Sequence, residues 1–140
     1  LKGSYLFKDM SRFARRYGVR LNMNPFFPII TTTLMRMDLG LHLRHDPSLK
    51  HFRDTVFQAI WVDERNLNDP VTVGAVLAEA GFDPTALLAL ASEQTIKDEL
   101  KTVTLAAVER GVFGAPTFFV GNEMFWGQDR LDFVRDALTN

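Results

Sequence analysis

At 140 residues, 46% of them apolar and 24% charged, the chain has the length and composition of one ordinary domain able to bury a core. A net charge of −1 gives no reason to expect nucleic acid, and the absence of cysteine leaves no disulfide, thiolate zinc site or redox Cys-x-x-Cys pair in these residues. No apolar run approaches the ~20 residues of a spanning helix, and no like-charge tail or signal-peptide pattern is seen, so a cytoplasmic protein without membrane contact is expected.

The first residue is Leu1 rather than Met and the chain runs at once into a helical pattern, so a segment upstream is expected. Tyr5, Leu6, Met10, Phe13, Ala14 and Tyr17 recur at helical spacing, and Gly18 stops the helix. Val19 to Asn24 alternates as a strand, with Val19, Leu21 and Met23 on one face, Arg20, Asn22 and Asn24 on the other, and Pro25 at its end. From about Thr31 to Gly111 there is no strand signal. Asp46-Pro47, Asp69-Pro70 and Asp83-Pro84 in that region each read as an N-cap followed by the first helical position. The helix after Pro47 carries Leu49, Phe52, Val56 and Ile60 at spacings of three and four, and the helix after Pro70 ends at Gly81. A further helix from about Glu93 to Arg110 places Ile96, Leu100, Val103 and Ala107 inward. No internal repeat, low-complexity segment or linker divides the chain.

The stretch from Gly111 to Arg130 organises the rest. Gly111 and Gly114 close the preceding helix, Thr117 to Val120 is a β-branched and aromatic run, and Gly121-Asn122 reads as a two-residue hairpin turn. Met124, Phe125 and Trp126 form the returning strand. Gly127-Gln128-Asp129-Arg130 then opens a last helix with Leu131, Phe133, Val134 and Leu138 on one side. Pro116 stands where a proline is tolerated, at the first position of a strand. Were Ala115-Pro116 cis, the backbone groups of Ala115 would turn outward, free to pair with another extended chain; a trans proline merely starting an edge strand is the plainer reading. At the new helix start, orphan N–H groups favour a carboxylate while Asp129 suits an ammonium, which together describe an amino-acid terminus. Self-capping by Asp129 is the alternative.

The segment Gly111 to Leu131, GVFGAPTFFVGNEMFWGQDRL, resembles the C-terminal signature of the 2-hydroxychromene-2-carboxylate isomerases, relatives of kappa-class glutathione transferases and of DsbA-like thioredoxin-fold oxidoreductases. The likeness extends to Lys2-Gly3 with Tyr5 and Asp9, Phe13 to Gly18, Asn24-Pro25, Phe27-Pro28, Leu34-Met35-Arg36 and Trp61-Val62-Asp63. The resemblance implies an α/β fold, a thioredoxin-like sheet with an all-helical insertion. Residues 1–30 and 112–140 would form an incomplete thioredoxin-like part lacking its N-terminal strand and helix. Residues 31–111 would form the insertion, whose last helix packs back on the sheet. It further implies glutathione as cofactor, with Ala115 and a cis Pro116 at the cysteine backbone, Gln128 and Asp129 at the γ-glutamyl end, and Lys2 as a further contact. A serine that activates the thiol is expected upstream of Leu1, so no catalytic nucleophile is assigned here, and the 140 residues alone are not expected to make a self-sufficient enzyme.

The activity this implies is a glutathione-dependent isomerase of a hydroxychromene carboxylate, a small aromatic carboxylate, in aromatic-compound breakdown; a homodimer is compatible with it. A kappa-like transferase, a DsbA-like oxidoreductase with an upstream cysteine pair, and a helical binding domain without catalysis are the alternatives. Phe27 and Pro28, with Trp61 and Trp126, are residues that wall a substrate pocket or, as commonly, plain core. Ile30 departs from the asparagine the family usually carries, which removes a polar contact. Arg36 meets a substrate carboxylate or, as a surface arginine, pairs with Asp38 or solvent. His42, His45 and His51 do not match a metal pattern and read as solvated histidines, so no metal is expected.

Overall fold

The computed structural model describes residues 2–139, with side chains from residue 5 onward. The chain divides into two compact units, Leu1–Asp98 and Glu99–Asn140. Among the described residues all regular structure of the first is helical: α1 (Lys2–Tyr17), α2 (Thr32–Leu43), α3 (Leu49–Trp61), α4 (Pro70–Glu79), α5 (Pro84–Ser92) and the first turn of α6 (Gln94–Glu109). Its core joins Leu34, Met37 and Leu41 of α2 to Phe52 and Ile60 of α3, Leu77 of α4 and Leu87 and Leu90 of α5. Helices α2 and α5 approach closely at Gly40, where an added Cβ would lie 2.6 Å from Leu90 Cγ.

Two of the three Asp-Pro pairs cap helices as their sequence suggests. Asp69 accepts from the N–H groups of Val71 and Thr72, and Asp83 from those of Thr85 and Ala86, with proline at the first helical position in each case. Hydrogen bonds from the Thr72 hydroxyl and backbone hold the Asp69 carboxyl below its usual range. Asp46-Pro47 differs: α3 begins two residues later than expected, and Asp46 Oδ1 accepts from Ser48 N at 2.8 Å and Ser48 Oγ at 2.6 Å. The carboxylate closes a local turn instead of capping a helix, an option short polar side chains always carry.

Val19 to Asn24, expected as a strand, is not one. Its alternation is real but no strand pairs with it among the described residues, and its polar positions serve a different partner. Asn22 donates its N–H to Trp61 O at 2.7 Å and its Nδ2 to Val62 O at 2.6 Å. Asn24, 2% exposed, donates Nδ2 to Ile60 O at 3.0 Å and Arg65 O at 2.9 Å, while its Oδ1 accepts from Phe26 N at 2.9 Å. The carbonyls left over at the end of α3 are thus met by asparagine amides, which does for this segment what a ladder does for a strand.

The second unit holds most of α6, an antiparallel pair β1 (Thr117–Val120) and β2 (Glu123–Trp126), a 3-10 turn (Gln128–Arg130) and α7 (Leu131–Thr139). Val120 pairs with Glu123, which leaves Gly121-Asn122 as the hairpin turn, and Gly121 has the positive φ of 58° such a turn uses. Helix α7 packs on β1, and the Arg110 guanidinium lies 3.5 Å above the Phe119 ring. Of the residues expected inward on α6, Ile96 is buried, Leu100 and Ala107 are half-buried and Val103 is exposed. On α7, Val134 is half-buried while Leu131, Phe133 and Leu138 are exposed. Helical spacing marks an apolar stripe without saying how much of it is covered.

Replacing Asn24 tests the buried amide. Asn24→Ala should destabilise by about 1–3 kcal/mol through the partners it strands, and Asn24→Asp by more, because its carboxylate would face two carbonyl oxygens. Urea unfolding of both variants measures this, and an aspartate variant as stable as the alanine one would contradict it.

Candidate functional site

The second unit gathers four of the expected site residues at one end of its hairpin. Gly111, at φ 85°, ends α6, and the chain turns through Phe113 and Gly114 beneath Trp126. Gly114 must be glycine, since an added Cβ would collide with Trp126 Nε1. The Thr117 hydroxyl donates to Gly114 O at 2.6 Å, and the Ala115-Pro116 bond between them is cis. Pro116 O accepts from Gly127 N at 2.9 Å, so the residue before β1 is tied to the residue after β2. Gln128 and Asp129 follow directly on Gly127. Ala115, Pro116, Gln128 and Asp129 are all exposed, and within this unit the Ala115 N–H and C=O take no hydrogen bond among the described residues.

Gly127 has φ 107° and ψ 148°, a conformation open essentially to glycine alone. An added Cβ there would lie 2.6 Å from Asp129 Oδ1. The other carboxylate oxygen, Oδ2, accepts from Arg130 Nη1 at 2.7 Å. Asp129 therefore does not cap its own helix; its carboxylate is turned back over a bare glycine, with one oxygen on arginine. Chemically this end offers a donor and an acceptor to an extended backbone at Ala115 and an anionic group to a cation at Asp129.

The residues expected to wall a pocket fall in both units. Phe27 and Trp61 meet in the first, with ring centroids 5.8 Å apart, and Phe27-Pro28 is a second cis bond. Asn68 secures this loop, donating Nδ2 to Phe26 O and Pro28 O at 3.1 Å each and accepting from Ile30 N at 2.8 Å. Arg36 is half-buried on α2; Asp38, its suggested partner, is held instead by Arg53 through both oxygens. Trp126 belongs to the other unit, where its ring packs 5.0 Å from Phe113. Lys2 opens α1, and its side chain lies outside the described residues. The sequence does not single out Asn24 and Asn68 as organisers, because their partners lie some forty residues away in the chain.

A separate cleft of about 210 Å³ on the first unit is lined by Gln58, Asp63, Arg65 and Glu79 among others, and includes none of the expected residues. Its polar side chains are satisfied within the cleft, Arg65 by an ion pair with Glu79 and Asp63 by the Gln58 amide. Among the described residues no helix is long and apolar enough to cross a membrane, and no group of three histidine or carboxylate side chains is placed to hold a metal. His42, His45 and His51 are exposed, His51 stacking on Phe82.

A family model described as a DsbA-like thioredoxin domain matches residues 1–139. The chain belongs to the DsbA-like thioredoxin domain family. Its predominantly helical build with a small antiparallel sheet is that family's fold. It is 33% identical to a 2-hydroxychromene-2-carboxylate isomerase of Pseudomonas putida over 99% of its own length and 66% of the relative's. It is 30% identical to the protein of that name from Sphingobium xenophagum, over 93% of this chain and 65% of the relative. Glutathione S-transferase kappa 1 of Homo sapiens is more distant, at 22% identity over 98% of this chain and 66% of the relative. A solved structure of a 2-hydroxychromene-2-carboxylate isomerase superposes with a TM-score of 0.79 at 29% identity, covering 99% of this chain and 66% of that one. The chain thus spans just under two thirds of the length of these relatives.

In this DsbA-like chain Gly127 is the residue whose conformation sets the hairpin end. Gly127→Ala should cost about 1–3 kcal/mol of stability and displace the Asp129 carboxylate. Denaturant unfolding checks the first effect, and an alanine variant of unchanged stability would refute the assigned backbone geometry.

Proposed function

We propose that this chain carries the glutathione-holding groups of an isomerase acting on 2-hydroxychromene-2-carboxylate-type substrates in the breakdown of aromatic compounds. The observation that carries the reading is the bond from Gly127 N–H to Pro116 O, which sets Ala115 and Asp129 at one end of one hairpin. Kinship to proteins named as that isomerase supports the chemistry. In this reading residues 1–30 with 112–140 form the thioredoxin-like part and 31–111 the helical insertion. A cytoplasmic location and a small aromatic carboxylate as substrate belong to the same reading.

Glutathione fits the groups present. It is a peptide with a backbone to pair, and its γ-glutamyl end is an amino acid with ammonium and carboxylate. Ala115 would align the cysteine backbone through the N–H and C=O that this unit leaves unpaired. Asp129 would hold the ammonium, with its Oδ1 over Gly127 as the accepting atom, while Gln128 adds a polar contact. When bound, glutathione supplies a thiolate able to add reversibly to the substrate and so permit rotation about a bond that begins as double. The chain's own part is to fix the peptide's two ends so that the thiol is presented in one orientation, and to bring the substrate beside it. In the first unit Phe27, Pro28 and Trp61 would be the aromatic and proline surfaces offered to the substrate, with Arg36 for its charge; Trp126 is a separate candidate of the second unit. No catalytic nucleophile is assigned to any of these residues.

The likeness to kappa 1 glutathione transferase favours one second reading, in which a glutathione adduct is the product. Recovery of glutathione unchanged after turnover marks the isomerase, and accumulation of a conjugate marks the transferase.

The binding site itself is tested in the full-length protein. Asp129→Ala should weaken glutathione binding by about 1–3 kcal/mol, the size of a lost charged hydrogen bond, with Asp129→Asn intermediate. Titration calorimetry reads this directly. Unchanged affinity in a folded Asp129→Ala protein would rule out Asp129 as the ammonium partner.

A further inference from the structure

The segment between α1 and α2 turns its polar side inward and its apolar side out. Val19 to Asn24 alternates, yet Asn22 and Asn24 direct their amides to the end of α3, at Val62 O, Ile60 O and Arg65 O. The apolar positions between them point the other way: Val19 and Met23 are exposed and Leu21 is half-buried. The loop that follows repeats the arrangement. Asn68 holds the backbone of Phe26, Pro28 and Ile30, while the Phe26 and Phe27 side chains are exposed and Ile30 is 76% exposed. With Tyr17 at the end of α1, six large apolar side chains therefore stand in solvent between Tyr17 and Ile30. Single exposed apolar residues need no explanation, but a contiguous group of them marks a contact surface.

The same stretch is cationic. From Met10 to Met37 the chain carries five of its 16 basic residues, all arginine, and none of its 17 acidic ones, although its net charge is −1. The arginines are spaced, so no run of like charge marks them in the sequence. Arg12 is held by Asp9, and Arg36 lies half-buried on α2. Arg15 and Arg16 in the last turn of α1, and Arg20 just beyond it, are exposed and form no ion pair among the described residues. Asp63 and Glu64 follow the Val62 carbonyl that Asn22 meets, and neither holds one of these arginines.

A surface both apolar and cationic calls for a partner both apolar and anionic. A second copy docked about a two-fold axis would bring the same arginines together. Single-stranded nucleic acid uses flat aromatic platforms, whereas Val19, Met23 and Ile30 are not aromatic. An anionic bilayer answers both properties, with phosphates for the guanidinium groups and an acyl boundary for the apolar side chains. No helix among the described residues is long and apolar enough to cross a membrane, so the contact is with its surface.

We propose that the segment from Arg15 to Ile30 is a membrane-surface contact, seating on anionic phospholipid with Arg15, Arg16 and Arg20 at the headgroups and Val19, Met23, Phe26 and Ile30 in the acyl boundary. It goes beyond the reaction proposed above and does not depend on it.

The test is co-sedimentation of the full-length protein with vesicles of equal parts phosphatidylcholine and phosphatidylglycerol, beside vesicles of phosphatidylcholine alone. The wild type should sediment with the anionic vesicles and far less with the neutral ones. The Arg15→Gln, Arg16→Gln, Arg20→Gln triple variant should bind them about 100-fold more weakly, at about five-fold per arginine. The corresponding triple lysine variant, which keeps the charge, should bind like the wild type. Val19→Ser with Ile30→Ser should weaken binding by about 10-fold through lost apolar insertion, and the difference should persist at about 1 M salt, where the screening length is about 3 Å. Circular dichroism establishes that each variant is folded. A wild type that does not prefer anionic vesicles, a folded glutamine variant that binds as the wild type does, or a serine variant that binds unchanged overturns the proposal. Tighter binding of a single-stranded oligonucleotide than of vesicles by the wild type, lost in the glutamine variant, assigns the surface to nucleic acid and overturns it as well.

Discussion

One backbone hydrogen bond, from Gly127 N–H to Pro116 O at 2.9 Å, holds together what the second unit presents. It joins the residue just before β1 to the residue just after β2, so two segments distant in sequence share one end of the hairpin. Its donor is glycine because φ 107° is a conformation that residues with a side chain rarely adopt. Its acceptor has to sit before the strand, where proline's missing N–H costs no ladder bond. The exposed Ala115 backbone and the Asp129 carboxylate are consequences of this link.

The first unit solves a similar problem with side chains. The chain between α1 and α2 contains no regular structure among the described residues, yet its backbone needs partners. Asn24 and Asn68 provide them, each amide donating to backbone carbonyls remote in sequence, while Asn24 Oδ1 accepts locally from Phe26 N and Asn68 Oδ1 accepts from the distant Ile30 N. The reward is a loop held well enough to keep Phe27 against Trp61. Among the described residues the same accounting leaves one buried side-chain nitrogen, Arg36 Nε, without a hydrogen-bond partner.

Elements governed by local chemistry were legible from the residues alone. Asp69-Pro70 and Asp83-Pro84 cap helices because the carboxylate reaches N–H groups two and three residues on, a geometry complete within four residues. Gly121-Asn122 makes its turn for a similarly local reason. Asp46-Pro47 has the same composition but folds otherwise, its carboxylate closing a turn on Ser48. Val19 to Asn24 shows the limit of pattern reading: alternation signals a backbone able to be extended, but a strand also needs a neighbour, and here the neighbour is the end of a helix.

The sequence by itself determined the family likeness, the helices, the hairpin and the identities of Ala115, Pro116, Gln128 and Asp129 as a candidate set, because each depends on contacts a few residues apart or on a recognisable motif. Only the tertiary structure decided that Pro116 and Gly127 bond, that Asp129 turns to Arg130 instead of capping its helix, that Asp38 belongs to Arg53, and that Arg36 is left with a buried nitrogen. Those outcomes turn on which of several possible partners each group reaches, and that choice is made by the folded backbone and its packing, which residue types and spacing do not specify.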